Sequence, residues 1–393
     1  MTASSNKLHG NWNYPTTLWF GANRITELAT ACKMLNIRHP LLVSDPGLSQ
    51  LPMVSEAIAH NEAQGIPTGL FSDIKTNPNG LNIENGVRHY HEHSHDGVIA
   101  FGGGSALDAG KAIALMSGQK QPLWAFEDVG DNWLRIDNDG IAPIIAIPTT
   151  AGTGSEVGRA SLIVDEEKHC KKVIFHPNML PGIVIADPQL TTGLPANITA
   201  ATGMDALSHN LEAYCAPAYH PMADGIALEG MRLIKEWLTI ACEEPQNIEA
   251  RSQMMIASTM GATAFQKGLG AMHALAHPLG AIYDAHHGLL NAILMPYVLL
   301  KNRPAIDSRM QHLARYLELE GGDFDAVLDY TITLRTHIGI PGDLHSIGID
   351  DSHIDEIATQ ALQDPSAAGN PISLTQQQYT ELLSDAINGR LVP

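Results

Sequence analysis

The chain has 393 residues, 44% of them apolar and 17% charged, with 23 basic against 42 acidic side chains for a formal net charge of −19. That length exceeds one ordinary hydrophobic core and that composition excludes extensive disorder, so two well-packed domains are expected. The negative surplus repels nucleic acid and anionic membrane surfaces, so neither is expected as a partner, and any phosphate-bearing ligand must be held by local features.

No run of about 18 uncharged apolar residues occurs, and the opening MTASSNKLHGNWNY lacks the apolar core of a signal peptide. A soluble cytoplasmic protein is expected. The four cysteines, Cys32, Cys170, Cys215 and Cys242, stand far apart with no CxxC pair, which suggests neither a disulfide framework nor a zinc-thiolate site.

In the first half, apolar runs alternate with helical patterns. HPLLVSDPG at 39–47 reads as a strand, because its branched residues stop at Asp-Pro-Gly. HYHEHSH at 89–95 is rich in histidine and reads as a solvated helix end rather than a metal site. DGVIAFGGGS at 96–105 is a second strand, followed by the helical ALDAGKAIALMSG, and PIIAIPTT at 143–150 is a third. Strands that alternate with helices imply βα units and a mostly parallel, covered sheet. From about Leu194 the texture changes to long segments rich in Ala, Leu, Met and Glu with no further strand runs. The expected architecture is an α/β N-terminal domain over 1–190 and an all-α C-terminal domain over 191–393, with the boundary near DPQLTTGLP at 187–195.

Two loops in the first domain carry ligand chemistry. FGGGSALD at 101–108 lies between a strand and a helix, where glycines admit a close ligand and the helix start offers free N–H groups, a combination that suits a pyrophosphate. IPTTAGTGSEVG at 147–158 adds hydroxyls and small residues after the next strand. The first loop is neither GxGxxG nor a P-loop, and taken alone it also reads as a plain tight turn; the two loops together favour a nucleotide. Asp45, just after the first strand, could bind an adenosine ribose and would repel a 2′-phosphate, which favours NAD over NADP; Asp-Pro-Gly is also an ordinary turn.

The second domain carries the other constellation. Asp205 and His209 are four residues apart in a helical pattern and share a face; His273 and His277 repeat that spacing. His287 follows fourteen residues after His273, with Pro278, Gly280 and Gly288 suggesting a break between them. One carboxylate and three imidazoles, Asp205, His209, His273 and His287, make a mixed O/N site for a divalent transition metal such as Fe(II), Zn(II) or Mn(II). Those four groups suffice as ligands, so His277 reads as a neighbouring or proton-handling group. His286 has no evident role.

GGGSALDAGKAIAL, IPTTAGTGSEV, LPANITAATGMDALSHNLEAY and GAMHALAHPLGAIYDAHHGLLNAILMPYV, in that order, resemble the iron-containing, or group III, alcohol dehydrogenases over essentially the whole chain. The resemblance implies a dinucleotide-binding domain, a helical metal-binding domain and an active site in the cleft between them. It implies reversible hydride transfer between a small primary alcohol, or its aldehyde, and NAD, with a divalent metal, Fe(II) first and Zn(II) second, on Asp205, His209, His273 and His287. His277 matches the family's extra active-site histidine. The cofactor positions carried over are Asp45, Asn77, Gly102, Gly103, Gly104, Ser105, Asp108, Thr149, Thr150, Thr153 and Lys171. Family members often form dimers or larger oligomers, so a homo-oligomer is expected.

Three positions depart from the pattern: Gly158 where members often have Thr, His286 where Pro commonly precedes His-Gly, and Ile372 where many have Arg. The alternative is a metal- and NAD-dependent enzyme of the related dehydroquinate-synthase or glycerol-dehydrogenase type. An acidic chain fits the polyanionic substrate of the former poorly.

Overall fold

Short runs of branched and aromatic residues between turns form the strands: β1 (Thr17–Phe20), β2 (Pro40–Val43), β3 (Gly69–Phe71), β4 (Gly97–Gly102), β5 (Ile144–Pro148), β6 (Ala160–Asp165), β7 (Cys170–Phe175) and β8 (Ile183–Ala186). The computed structural model describes residues 13–14, 16–168 and 170–391. The first twelve residues, which hold most of the stretch behind the expected lack of a signal peptide, lie outside these.

Six strands make one all-parallel sheet in the order β1-β8-β5-β4-β2-β3, while β6 and β7 pair antiparallel as a separate hairpin. β2, β4, β5 and β8 are buried along their whole length, as a parallel sheet covered on both faces requires. The period of two sorts their side chains. Leu42, Ile99, Phe101, Ile145 and Ile147 pack with α1 (Leu28–Met34) and α2 (Pro52–Ala63), and Leu41, Val43, Val98 and Ile144 pack with α3 (Gly80–Glu92) and α4 (Gly104–Met116). From β2 the chain moves outward to β3, then returns to the other side of β2 for β4 and onward to β5. The strand order therefore reverses between β2 and β4, and a doubly wound sheet binds its ligand outside the carboxyl ends of such a pair. Those ends carry Asp45 and the glycines 102–104.

The chain folds into two compact units, Pro15–Gly193 forming one and Leu194 onward the other, with Asn13 and Tyr14 belonging to the second. The Asn13 N–H donates to Gln266 Oε1 at 2.7 Å, and Gln266 Nε2 donates back to Asn13 O at 2.8 Å. The second unit is built from α5 (Ala196–Cys215), α6 (Pro221–Glu243), α7 (Ile248–Ala264), α8 (Ala271–Tyr283), α9 (His287–Tyr316), α10 (Phe324–His337), α11 (Ile354–Gln363) and α12 (Gln376–Asn388). No strand follows Ala186 among the described residues, and no helix among them is long and apolar enough to cross a membrane. α5 is buried on every side from Thr199 to Cys215 and packs against α6, α7 and α9, the environment of a central helix.

The break between His273 and His287 does not fall at Pro278. α8 runs through that proline and ends at Tyr283, where Asp284 takes a left-handed conformation with φ of 51°. His286 then has a role after all. Its Nδ1 accepts from the Leu289 N–H at 3.4 Å and caps α9, and its φ of −67° is the angle a proline would fix.

Candidate metal centre and cofactor loops

Three helices deliver the acid and the histidines. Asp205 and His209 project from one face of α5, His273 and His277 from one face of α8, and His287 opens α9. Asp205, His209, His273 and His287 each offer one donor atom, and the four atoms lie within 4.8 Å of one another. Asp205, His209 and His273 are 2%, 4% and 1% exposed, so water cannot supply the partners their polar atoms need. The His209 and His273 rings stack with centroids 4.7 Å apart, and His287 Nε2 stands 3.7 Å from Asp205 Oδ1.

Glycine permits this crowding. A Cβ on Gly288 would come within 2.3 Å of the Ala201 carbonyl oxygen and 3.0 Å of Asp205 Cβ, so only glycine lets the first turn of α9 press against α5.

Asn291, one turn after His287, shows how electron-rich the point of convergence is. Its Nδ2 lies 2.9 Å from Asp205 Oδ1 and 3.2 Å from both His273 Nε2 and His287 Nε2. An amide carries two hydrogens, and one carboxylate oxygen and two ring nitrogens crowd around it, more partners than those hydrogens can serve. A cation is the group that such a convergence of possible ligand atoms fits, and one carboxylate with three imidazoles is a donor set for a divalent transition metal.

Surrounding carboxylates fix the rings. Glu212 accepts from His273 Nδ1 at 2.7 Å and from the N–H groups of Gly270 and Met272 at 2.8 Å each, so it caps α8 and leaves His273 Nε2 as the lone-pair nitrogen. Burial works against the His273 imidazolium, but the Glu212 hydrogen bond and the charges of Glu212, Asp205 and Asp364 outweigh it and raise the pKa above the usual histidine value. Asp364 accepts from His277 Nδ1 at 2.8 Å. Burial opposes the Asp364 carboxylate, yet the His277 charge and hydrogen bond and the Ser366 donors hold its pKa below the usual range. His277 lies within this group, its ring stacked on that of His287 at 5.4 Å between centroids.

Glu212, Asp364 and Asn291 escape a reading of the sequence by residue type. Glu212 had a usable signal, because Asp205, His209 and Glu212 follow an i, i+4, i+7 spacing along α5, and Asn291 sits four residues after His287. Asp364 had none, since it lies 87 residues from its partner.

In the α/β unit, β4 ends at Gly102 with φ of +150°, Gly103 precedes α4, and Gly104 begins it. The two glycine-rich loops abut. A Cβ on Gly104 would meet Thr153 Cγ2 at 2.6 Å and one on Gly103 would meet Thr150 Cγ2 at 3.4 Å, while Thr149 N–H donates to Gly102 O at 3.0 Å. The first N–H groups of α4 have no intrahelical partner and stand beside this double loop, which is an anion-binding arrangement. Asp45 Oδ1 accepts from Leu48 N–H at 2.8 Å, as a turn aspartate does, and its Oδ2 lies 3.7 Å from where a Gly102 Cβ would stand.

The remaining carried-over positions surround the same loops. Ser105 Oγ donates to Thr76 O, tying α4 to the segment that holds Asn77, and Val164 N–H donates to Pro78 O at 2.8 Å, bringing the hairpin with Lys171 to that segment. Asp108 is different. Its carboxylate accepts from Ser155 Oγ and from Leu162 N–H and pairs with buried Lys111 at 3.3 Å, so it braces the second loop against α4. Burial lowers the Lys111 pKa against the pull of Asp108.

The chain matches the model of the iron-containing alcohol dehydrogenases over residues 15–188 and that of the family's C-terminal part over 199–387. It is 38% identical to 4-hydroxybutyrate dehydrogenase of Cupriavidus necator, over 94% of this chain and 97% of that protein. The crystal structure of a 1,3-propanediol oxidoreductase superposes with a TM-score of 0.91 at 32% identity, covering 96% of this chain and 99% of that one. A sulfoacetaldehyde reductase from Bifidobacterium kashiwanohense, solved in complex with NAD+, superposes with a TM-score of 0.87 at 28% identity, over 96% of this chain and 99% of the other.

Proposed function

The chain belongs to the iron-containing alcohol dehydrogenase family, and from that premise we propose that it oxidises a small primary alcohol to the aldehyde, and the reverse, at the Asp205, His209, His273 and His287 cluster with NAD as hydride carrier. The observation that carries this reading is the convergence of one possible ligand atom from each of Asp205, His209, His273 and His287 within 4.8 Å of one another. When bound, a divalent cation, Fe(II) before Zn(II), supplies Lewis-acid polarisation of the alcohol oxygen, and NAD supplies the hydride acceptor.

The chain's own residues do the rest. Asp205, His209, His273 and His287 hold the cation, and Glu212 fixes the His273 ring so that Nε2 faces it. Because His277 Nδ1–H is committed to Asp364, His277 Nε2 is the atom free to take the proton released by the alcohol, and the Asp364 carboxylate stabilises the imidazolium that results. Asp45, Asn77, Gly102–Gly104, Ser105, Thr149, Thr150, Thr153 and Lys171 hold the cofactor, with Asp108 bracing them. A soluble homo-oligomer in the cytoplasm completes the proposal.

The test incubates purified, metal-loaded protein with NAD or NADP and a panel of small alcohols that includes diols and ω-hydroxycarboxylates such as 4-hydroxybutyrate, and follows formation of the reduced nicotinamide. Silence across the panel at full metal occupancy sinks the proposal. In the same assay Asp45→Asn keeps the acceptor for Leu48 N–H but removes the charge that repels a 2′-phosphate; the ratio of NADP to NAD kcat/KM is expected to rise by about 10- to 100-fold. An unchanged ratio removes Asp45 from the cofactor site.

Glu212→Gln places an amide donor among three donors. Metal affinity, measured by competition with a chelator, is expected to fall by about 10- to 100-fold while NAD affinity stays at the wild-type value.

A further inference from the structure

The histidine-rich segment 89–95 is more than a solvated helix end. α3 closes with a Schellman motif: Ser94 takes a left-handed φ of 55°, its N–H donates to His91 O at 3.1 Å, and His95 N–H donates to Tyr90 O at 3.0 Å. This reversal folds His95 back beside His89 and His93, which already share one face of α3 by their spacing of four. One ring nitrogen from each of the three lies within 4.8 Å of the other two.

The rings are set as metal ligands are set. His93 Nδ1 lies 3.1 Å from His89 O and His95 Nδ1 lies 3.1 Å from His39 O; a carbonyl only accepts, so both Nδ1 atoms carry the proton and both Nε2 atoms carry the lone pair. His95 is 7% exposed, and its Nε2 is buried with no hydrogen-bond partner. A histidine held in that state loses the hydration of a nitrogen and gains nothing in return. Gly69 admits the ring, for a Cβ there would meet His95 Cε1 at 2.3 Å and Nε2 at 2.6 Å. His89 stacks on His93 with centroids 4.3 Å apart, and no carboxylate belongs to the group.

The geometry points to a second metal site: His89, His93 and His95 bind one divalent late transition cation, Zn(II), Cu(II) or Ni(II), through three imidazoles with at least one position open to water. It shares no residue with the Asp205 cluster. An all-imidazole set suits these ions and offers no hard oxygen to Mg(II) or Ca(II).

The test uses the full chain, purified without a histidine tag and stripped with chelator. Zn(II) titration followed by gel filtration and elemental analysis is expected to show one retained equivalent beyond that of the Asp205 cluster, and Cu(II) loading an EPR signal split by nitrogen. His93→Ala is expected to weaken that extra equivalent by at least 10- to 100-fold and to leave alcohol turnover unchanged, while His287→Ala keeps it and His91→Ala, an exposed neighbour, leaves it as in the wild type. Identical titration of wild type and His93→Ala overturns the site. So does an equal loss in His91→Ala, which would reduce the binding to loose capture by surface imidazoles.

Discussion

His287→Ala and His273→Ala each lower kcat/KM by about a thousandfold or more and remove the bound cation with the activity, because a Lewis acid contributes several kcal/mol to the barrier and about 1.36 kcal/mol is a factor of ten. The two variants differ in what else they break. His273 is 1% exposed and its Nδ1 holds the Glu212 carboxylate, so its removal leaves a buried charge short of one donor and destabilises the helical unit. The His287 side chain is 24% exposed, and its loss leaves Glu212 fully satisfied. His287→Ala is therefore the cleaner measurement: metal content and turnover vanish together while the circular dichroism melt and NAD affinity stay close to wild type. A variant free of metal that retains full turnover overturns the ligand assignment.

The acid and histidines were legible in the sequence because helical spacing is a local property. A spacing of four places Asp205 with His209 and His273 with His277 before any fold is known, and small residues around them mark a buried face. Glu212 and Asn291 follow the same periodicity yet carry no warning by residue type, since a buried Glu or Asn is recognised only by what it touches. Asp364 reaches His277 from a segment 87 residues away, a pairing that tertiary packing alone creates.

The sheet divides in the same way. β2, β4 and β5 are buried runs of branched residues that end in turn signals, whereas β1 and β3 are the two edge strands of the sheet and only partly buried. The β6–β7 hairpin lies where the sequence shows charged residues, and Lys171 and Lys172 on it disguise its alternation. Pro278 misplaces the helix break for another reason. Its missing N–H is tolerated inside α8, and the chain turns instead at Asp284, where the left-handed backbone conformation closes the helix.

Gly288→Ala tests whether the close approach of α9 to α5 builds the metal centre. The added Cβ would stand 2.3 Å from the Ala201 carbonyl oxygen, a backbone atom that cannot swing aside, so the first turn of α9 must move. Overpacking of this kind costs about 1–3 kcal/mol, and a unit of this size loses about 2–4 °C of melting midpoint per kcal/mol. The same turn carries His287 and Asn291, so metal affinity falls along with stability. Gly225→Ala supplies the contrast: this glycine lies within α6 with nothing inside 4 Å of a new Cβ, and alanine there is expected to stabilise by about 0.5–1 kcal/mol with metal affinity untouched. Should Gly288→Ala melt earlier yet bind the cation as tightly as the wild type, the helix start would be a packing feature only, and the convergence of Asp205 with His287 would need another cause.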